Sequence, residues 1–330
     1  MSPVQWSYGH HAGVSDEPSK AAQRQCTLAA SENLCQPLAL PSVVQLECKF
    51  KHERGDKVTM PAADEGRRFL LDDSPLELAV FEVRFPAHTD QVTVEEGLKI
   101  RDSIAALVGV GFPTVDPAQS HEVMLTLGPD GATQQGTSIE GVQISDPERG
   151  HVISVFPGQL AVQVQVYGRW SVTLKPLISA ALTALDQALS PPAVTRVGLR
   201  YVNRFRNHLA HDPQFWGGRI EPSLAGPIVA GPFASQVSRT QHQIELQLGG
   251  DLGATIRHGL LPEPAPRGTY SYLLDIDVYV SRTEPFDAIP VLDTAELLNR
   301  SAAEVFRRTM RPEFANELGM HGVPEGGVTP

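Results

Sequence analysis

Three arginines in one short stretch set the chemical question. Side chains alternate between the two faces of a strand. In Val194–Phe205 (VTRVGLRYVNRF) one face reads Thr195, Val197, Leu199, Tyr201, Asn203 and Phe205, and the other reads Arg196, Gly198, Arg200, Val202 and Arg204. Such a guanidinium row must find carboxylates, a ligand or water. Candidate carboxylates lie in YSYLLDIDVYVS, where Asp275 and Asp277 face one way while Leu274, Ile276, Val278 and Val280 face the other. The first apolar strand, in LDDSPLELAVFEVRFP, contributes Glu82 and Arg84. If these strands are neighbours, opposite charges sit about 5 Å apart across the sheet.

Two chemistries follow from this set. In the first, Arg84, Arg196, Arg200, Arg204, Asp275 and Asp277 form a ligand-binding face, with Arg200 and Arg204 forking onto a phosphate or carboxylate. In the second, Asp275 and Asp277, with Glu82 as a third oxygen donor, hold a divalent cation such as Mg²⁺ in a hydrolase or nuclease-like site. The neighbouring arginines argue against the cation. The plainer reading of the same residues is a cross-strand ion-pair ladder that serves solubility and pairing. A one-residue slip in register would scatter the cluster altogether.

The remaining reactive side chains are weaker candidates. His208 and His211 lie beside Asp212, Phe215 and Trp216, but no cysteine or second histidine pair at zinc spacing supports them. His10 and His11 stand alone near the N-terminus. Cys26, Cys35 and Cys48 fit no zinc motif, and Cys48 takes an apolar position on its own strand. Phosphate-cradling G-x-x-x-x-G-K-[ST], dinucleotide-type G-x-G-x-x-G after a strand, G-x-S-x-G and H-E-x-x-H are all absent. No metal or cofactor is therefore expected, and whether the chain is an enzyme stays open, since acid–base chemistry needs only two or three residues.

The elements that must position the charged row alternate in type. A strand is expected from about 78 to 85. The capping box Thr93-Val-Glu-Glu96 then opens a helix carrying Leu98, Ile104, Leu107 and Val108. Strands follow at 121–127 and 139–145 around a Pro-Asp-Gly turn, then a hairpin across Pro157-Gly158 in which the second strand runs to about Tyr167. The spacing of Leu174, Leu177, Ile178, Ala181, Leu182, Leu185 and Leu189 predicts a helix over 173–189, with Pro176 in its first turn. Pro191-Pro192 delivers the chain into the arginine strand. Residues 207–232 read as a long loop. Strands at 233–248, 253–260 and 270–281 precede a helix that starts at the capping box Asp293-Thr-Ala-Glu296 and runs to about Met310. Consecutive strand runs of this kind predict an α+β fold: a mixed, mostly antiparallel curved sheet with three main helices packed on one face. AVFEVRF and RVGLRY each end an apolar strand on arginine near a helix of similar length, which allows for two related halves.

Composition narrows the classes. The chain has 330 residues, 41% hydrophobic and 20% charged, as ordinary globular domains do. A net charge of −11 argues against general nucleic-acid binding and against anionic membranes. No apolar run nears the roughly 20 residues that span a bilayer, and the N-terminus lacks the pattern of a secretory signal. Three cysteines, an odd count with no closely spaced pair, suit a reducing, cytoplasmic setting better than a disulfide framework. Residues 1–70 read as a loosely ordered extension with one alternating strand at 42–51, residues 71–320 as the α+β domain, and 321–330 as a frayed tail. Partners consistent with this are a small anionic ligand, a protein, or further copies of the chain; the strand at 42–51 could also add to a partner's sheet edge.

SPLELAVFEVRFP and VTRVGLRYVNRF, with LDIDVYV and the closing helix trailing Phe314 and Gly319, resemble the signatures of a sporadically distributed family of uncharacterised bacterial proteins. The likeness covers about 71–320, and its specific part is Gly198-Leu199-Arg200-Tyr201 with Asn203-Arg204. The resemblance implies a bacterial cytosolic protein and carries no activity with it. The first seventy residues depart from the family pattern.

Overall fold

The computed structural model describes residues 69–322 apart from 88, 129–130 and 266, with the backbone alone described over the rest of 121–137. The expected strand at 42–51, all three cysteines and His10–His11 lie outside the described residues. In chain order the elements are β1 (Phe69–Leu70), β2 (Leu76–Arg84), α1 (Val94–Val108), β3 (Thr114–Gly128), β4 (Gly131–Asp146), β5 (His151–Phe156) and β6 (Gln159–Val164). Next come α2 (Lys175–Leu189), β7 (Ala193–Val194), β8 (Arg196–Phe205), α3 (Gln214–Gly217), α4 (Pro222–Val229), β9 (His242–Gly249) and β10 (Leu252–Pro262). The chain closes with β11 (Tyr270–Val280), β12 (Glu284–Pro285), α5 (Ala288–Arg308), α6 (Pro312–Glu317) and β13 (His321–Gly322).

Nine strands form one open antiparallel sheet in the order β3-β4-β5-β6-β2-β8-β11-β10-β9. The fold is α+β. Its centre is the pair β2–β8, in which Val83 faces Val197, Phe81 faces Leu199 and Ala79 faces Tyr201. Each of these two strands is joined on its outer side by the last strand of a following meander, β6 beside β2 and β11 beside β8. A long helix then ends each half, α2 in the first and α5 in the second. Both halves thus run from a central strand through helix and meander to a long helix, with four meander strands in the first and three in the second.

Period-two alternation puts one apolar face against the helices. Phe81, Leu160, Val162, Leu199, Leu274 and Ile276 are buried there with Ile178, Leu182 and Leu185 of α2 in a single core. Each fully buried aliphatic or aromatic side chain contributes about 1.5–3 kcal/mol. Every apolar residue assigned to the second helix from its spacing is buried, including Leu174 and Leu189. Pro176 sits in the first turn of α2, where its missing N–H is harmless.

Several boundaries move. The stripe of α1 that packs is Gly97, Ile100 and Ile104, whereas Leu98 and Leu107 are exposed. Gly97 matters because a Cβ there would lie 3.0 Å from Val115 and Val142, so the helix rides directly on the β3–β4 hairpin. That hairpin begins at Thr114 and runs through Pro117, which an edge strand tolerates. β6 ends at Val164, and Val166 is exposed although the alternation continues. The stretch 207–232 contains α3 and α4, and Trp216 within it is 1% exposed and donates its indole N–H to the Tyr270 carbonyl at 2.9 Å. The strand expected from 233 begins at His242, since a short 3₁₀ turn occupies Ala234–Gln236, while the last two begin at Leu252 and Tyr270, within one residue of their expected starts. α5 starts at Ala288, capped by Asp287 accepting from the Ile289 N–H at 2.9 Å, so the Asp293–Glu296 box falls inside the helix. At the end of the described stretch His321 and Gly322 pair with Leu70 and Phe69, so the expected frayed tail does not begin at 321.

Candidate functional site

On the face opposite the helices the charged row assembles as a ladder. The register sets Arg200 of β8 against Asp277 of β11 and Val202 against Asp275. The bonds, however, run diagonally. Arg200 forks onto Asp275, with Nε and Nη2 each donating at 2.7 Å to its two oxygens. Arg196 donates Nη1 to Glu82 at 2.8 Å and Nη2 to both oxygens of Asp277 at 3.1 and 3.2 Å. Arg204 donates Nε at 3.1 Å to Glu263 and to the Ser271 hydroxyl. Arg84, directly opposite Arg196, is held by Glu82 at 2.8 Å. All six residues singled out from the sequence therefore lie on this face, and all six are in ion pairs.

Arg196 reaches so far because of Gly198. A Cβ at that position would lie 2.4 Å from the Arg196 Nη1, so the guanidinium occupies the space a side chain would take. It also stacks 4.9 Å over the Tyr279 ring. Tyr279 in turn lies over Gly253, where a Cβ would be 2.9 Å from the ring. Two strand glycines thus let long side chains lie down across the sheet.

Burial sets the electrostatics. The Asp275 side chain is 5% exposed, while Arg200 above it is 45% exposed. Burial pushes the Asp277 carboxyl up from its ordinary value, against the pull of Arg196, Arg200 and Arg257. Arg200 is held above its usual value by the hydrogen bonds to Asp275.

Sequence reasoning missed Arg257, Arg206, Glu77 and Glu263. Arg257 approaches Asp275 at 3.7 Å from β10, and Arg206 pairs with Glu77 and Glu263. Arg257 carries a signal in hindsight, since it alternates with Thr255 and Gly259 on the polar face of its strand; Glu263 lies past a strand end and carries none. Among the described residues no group of three or more histidine, cysteine, aspartate or glutamate side chains is placed to hold a metal. His208 and His211 are exposed, and the His211 Nδ1 lies 3.1 Å from the Gly268 carbonyl. Among the described residues, one groove lies beside β9 and α5 and another at the start of α1 against the β3–β4 hairpin, both away from the charged row.

A second polar cluster lies on the helix side. His258 of β10 faces His242 of β9 directly, with ring centroids 5.2 Å apart. The His258 Nδ1 is 2.8 Å from the Tyr272 hydroxyl, and the Nε2 atoms of both histidines are buried without a protein partner. Burial, reinforced by His242, lowers the His258 imidazole to about 4, and burial raises the Tyr272 phenol.

Among the described residues no helix is long and apolar enough to cross a membrane. No protein-family model matches the chain, and no curated protein does.

Proposed function

We propose that the protein is a non-catalytic binding or accessory protein that engages an anionic ligand or partner through the open face of its sheet. The observation that carries this reading is the fate of the two aspartates: Asp275 is forked by Arg200, and Asp277 is held by Arg196. Carboxylates occupied in this way are poor cation ligands and poor general bases. The guanidiniums keep spare donors. Arg200 uses Nε and Nη2, which leaves Nη1 for a further acceptor. Arg257, 37% exposed, spends Nε on Gln243 and approaches Asp275 through Nη1, which leaves Nη2. The two therefore flank a single buried carboxylate and offer outward N–H groups to a phosphate or carboxylate. The resemblance of VTRVGLRYVNRF to a bacterial family supports a cytoplasmic setting.

The test is a thermal-shift screen of wild type and Arg200→Ala against inorganic phosphate, dicarboxylates, nucleotides and divalent metals. A ligand at a hundred times its Kd stabilises the fold by about 2.7 kcal/mol. The expected result is an anion that raises the wild-type Tm and has no effect on Arg200→Ala. Two outcomes sink the reading: no anion shifting wild type, or metal-stimulated phosphodiester hydrolysis that Asp277→Asn abolishes.

A further inference from the structure

We infer that the chain forms a two-fold symmetric dimer by pairing β9 with β9 of a second copy. Strand β9 is the last strand on its side of the sheet, and among the described residues nothing pairs with its outer edge. An unpaired edge presents a row of backbone donors and acceptors that natural sheets blunt or cover. The opposite edge, β3, carries Asp116 and Pro117, residue types that do this. HQIELQLG contains no proline, lysine or arginine. Its one acid does not guard the edge either, because Glu245 accepts from the Thr255 hydroxyl at 3.1 Å and the Gln243 amide at 2.9 Å, both within its own sheet.

The side chains of β9 point to a second copy as the occupant. Ile244, Leu246 and Leu248 are only half-buried and border a groove of about 210 Å³ with Leu224, Ile256 and Val305. Antiparallel self-pairing centred on Leu246 places Leu246 opposite its own equivalent and Ile244 opposite the second copy's Leu248. The same register sets Glu245 against Gln247, an amide facing a carboxylate. Centring one residue earlier would bring the two Glu245 carboxylates together, so charge disfavours that register. The result is a closed, isologous pair whose apolar face is continuous across the seam.

Size-exclusion chromatography with light scattering on the full chain tests this across a dilution series. Wild type should run at twice the chain mass and dissociate on dilution. Leu246→Lys should run at the mass of one chain, with unchanged circular dichroism and Tm. A second measurement stays decisive if that variant does not fold. In a chain with Cys26, Cys35 and Cys48 changed to Ser, Leu246→Cys should cross-link on mild oxidation and Gln243→Cys should not. Wild type at single-chain mass throughout, a dimer that survives Leu246→Lys, or equal cross-linking of both cysteine variants overturns the inference.

Discussion

His258 makes the fold acid-sensitive, and the size of the effect can be worked out from its surroundings. The ring is 3% exposed and faces Tyr272 and His242, with no carboxylate bonded to it to favour the imidazolium. Its pKa falls to about 4 in the folded chain, against an ordinary value of about 6.5. A depressed folded value means that the unfolded chain binds the proton first. The stability this group confers is complete above about pH 6.5 and is lost as pH falls toward about 4. At pH 5 the loss is about 2 kcal/mol, and it approaches about 3 kcal/mol near pH 4. The assay is urea unfolding of wild type and His258→Asn at pH 7.5 and pH 5. Asn keeps a polar atom near the Nδ1 position facing Tyr272 and does not titrate. Carboxylates elsewhere act alike in both proteins, so the difference between the two pH dependences isolates His258. Wild type should lose about 2 kcal/mol more than the variant. Equal losses would refute the argument that burial keeps this ring neutral.

Gly198→Ala should displace the Arg196 guanidinium, because the new Cβ claims its place, and should destabilise the fold by about 1–3 kcal/mol as Asp277 loses the bonds from Arg196, while Glu82 keeps Arg84 and Gln159. In an Arg196→Ala background the same change should be nearly neutral; chemical denaturation of the four proteins in this cycle measures the coupling. Leu182→Ala, in the fully buried face of α2, should cost about 2–5 kcal/mol through lost transfer and an unfilled cavity, read as a lower urea midpoint at unchanged m-value.

The charged ladder was legible because it rests on period-two alternation over two runs of about ten residues. That pattern put Arg196, Arg200 and Arg204 on one side of β8 and Asp275 and Asp277 on one side of β11. Register was not legible: it depends on turn geometry and on the full set of neighbours. Direct opposition would have paired Arg200 with Asp277, whereas the fork goes to Asp275 and Arg196 takes Asp277 across the Gly198 slot. A glycine inside a strand is a recognised mark of close approach, and that was the available clue. The segment 207–232 misled for a different reason. Its two helices span four and eight residues, the second with Pro227 inside, which is too short and too interrupted for a 3.6-residue period to show.

The two polar clusters on β10 and β11 answer one problem in opposite ways. Desolvation penalises any charge taken from water. On the open face Asp275 and Asp277 are bonded by guanidiniums, which offset the cost of a partly buried charge. On the helix face His258 meets a phenol and another imidazole, so ionisation is given up. The linkage signs then oppose each other. Acidification removes stability through His258, whose folded pKa lies below its ordinary value. Asp277 is raised instead, so the folded chain takes up its proton ahead of the unfolded one, and that group favours the fold as pH falls through its raised value. Asp277→Asn should therefore steepen the acid loss of stability, while His258→Asn should flatten it. Urea unfolding of both variants across a pH series running from neutral into the carboxylate range separates them. A change of the same sign in the two would show that burial does not govern both sites.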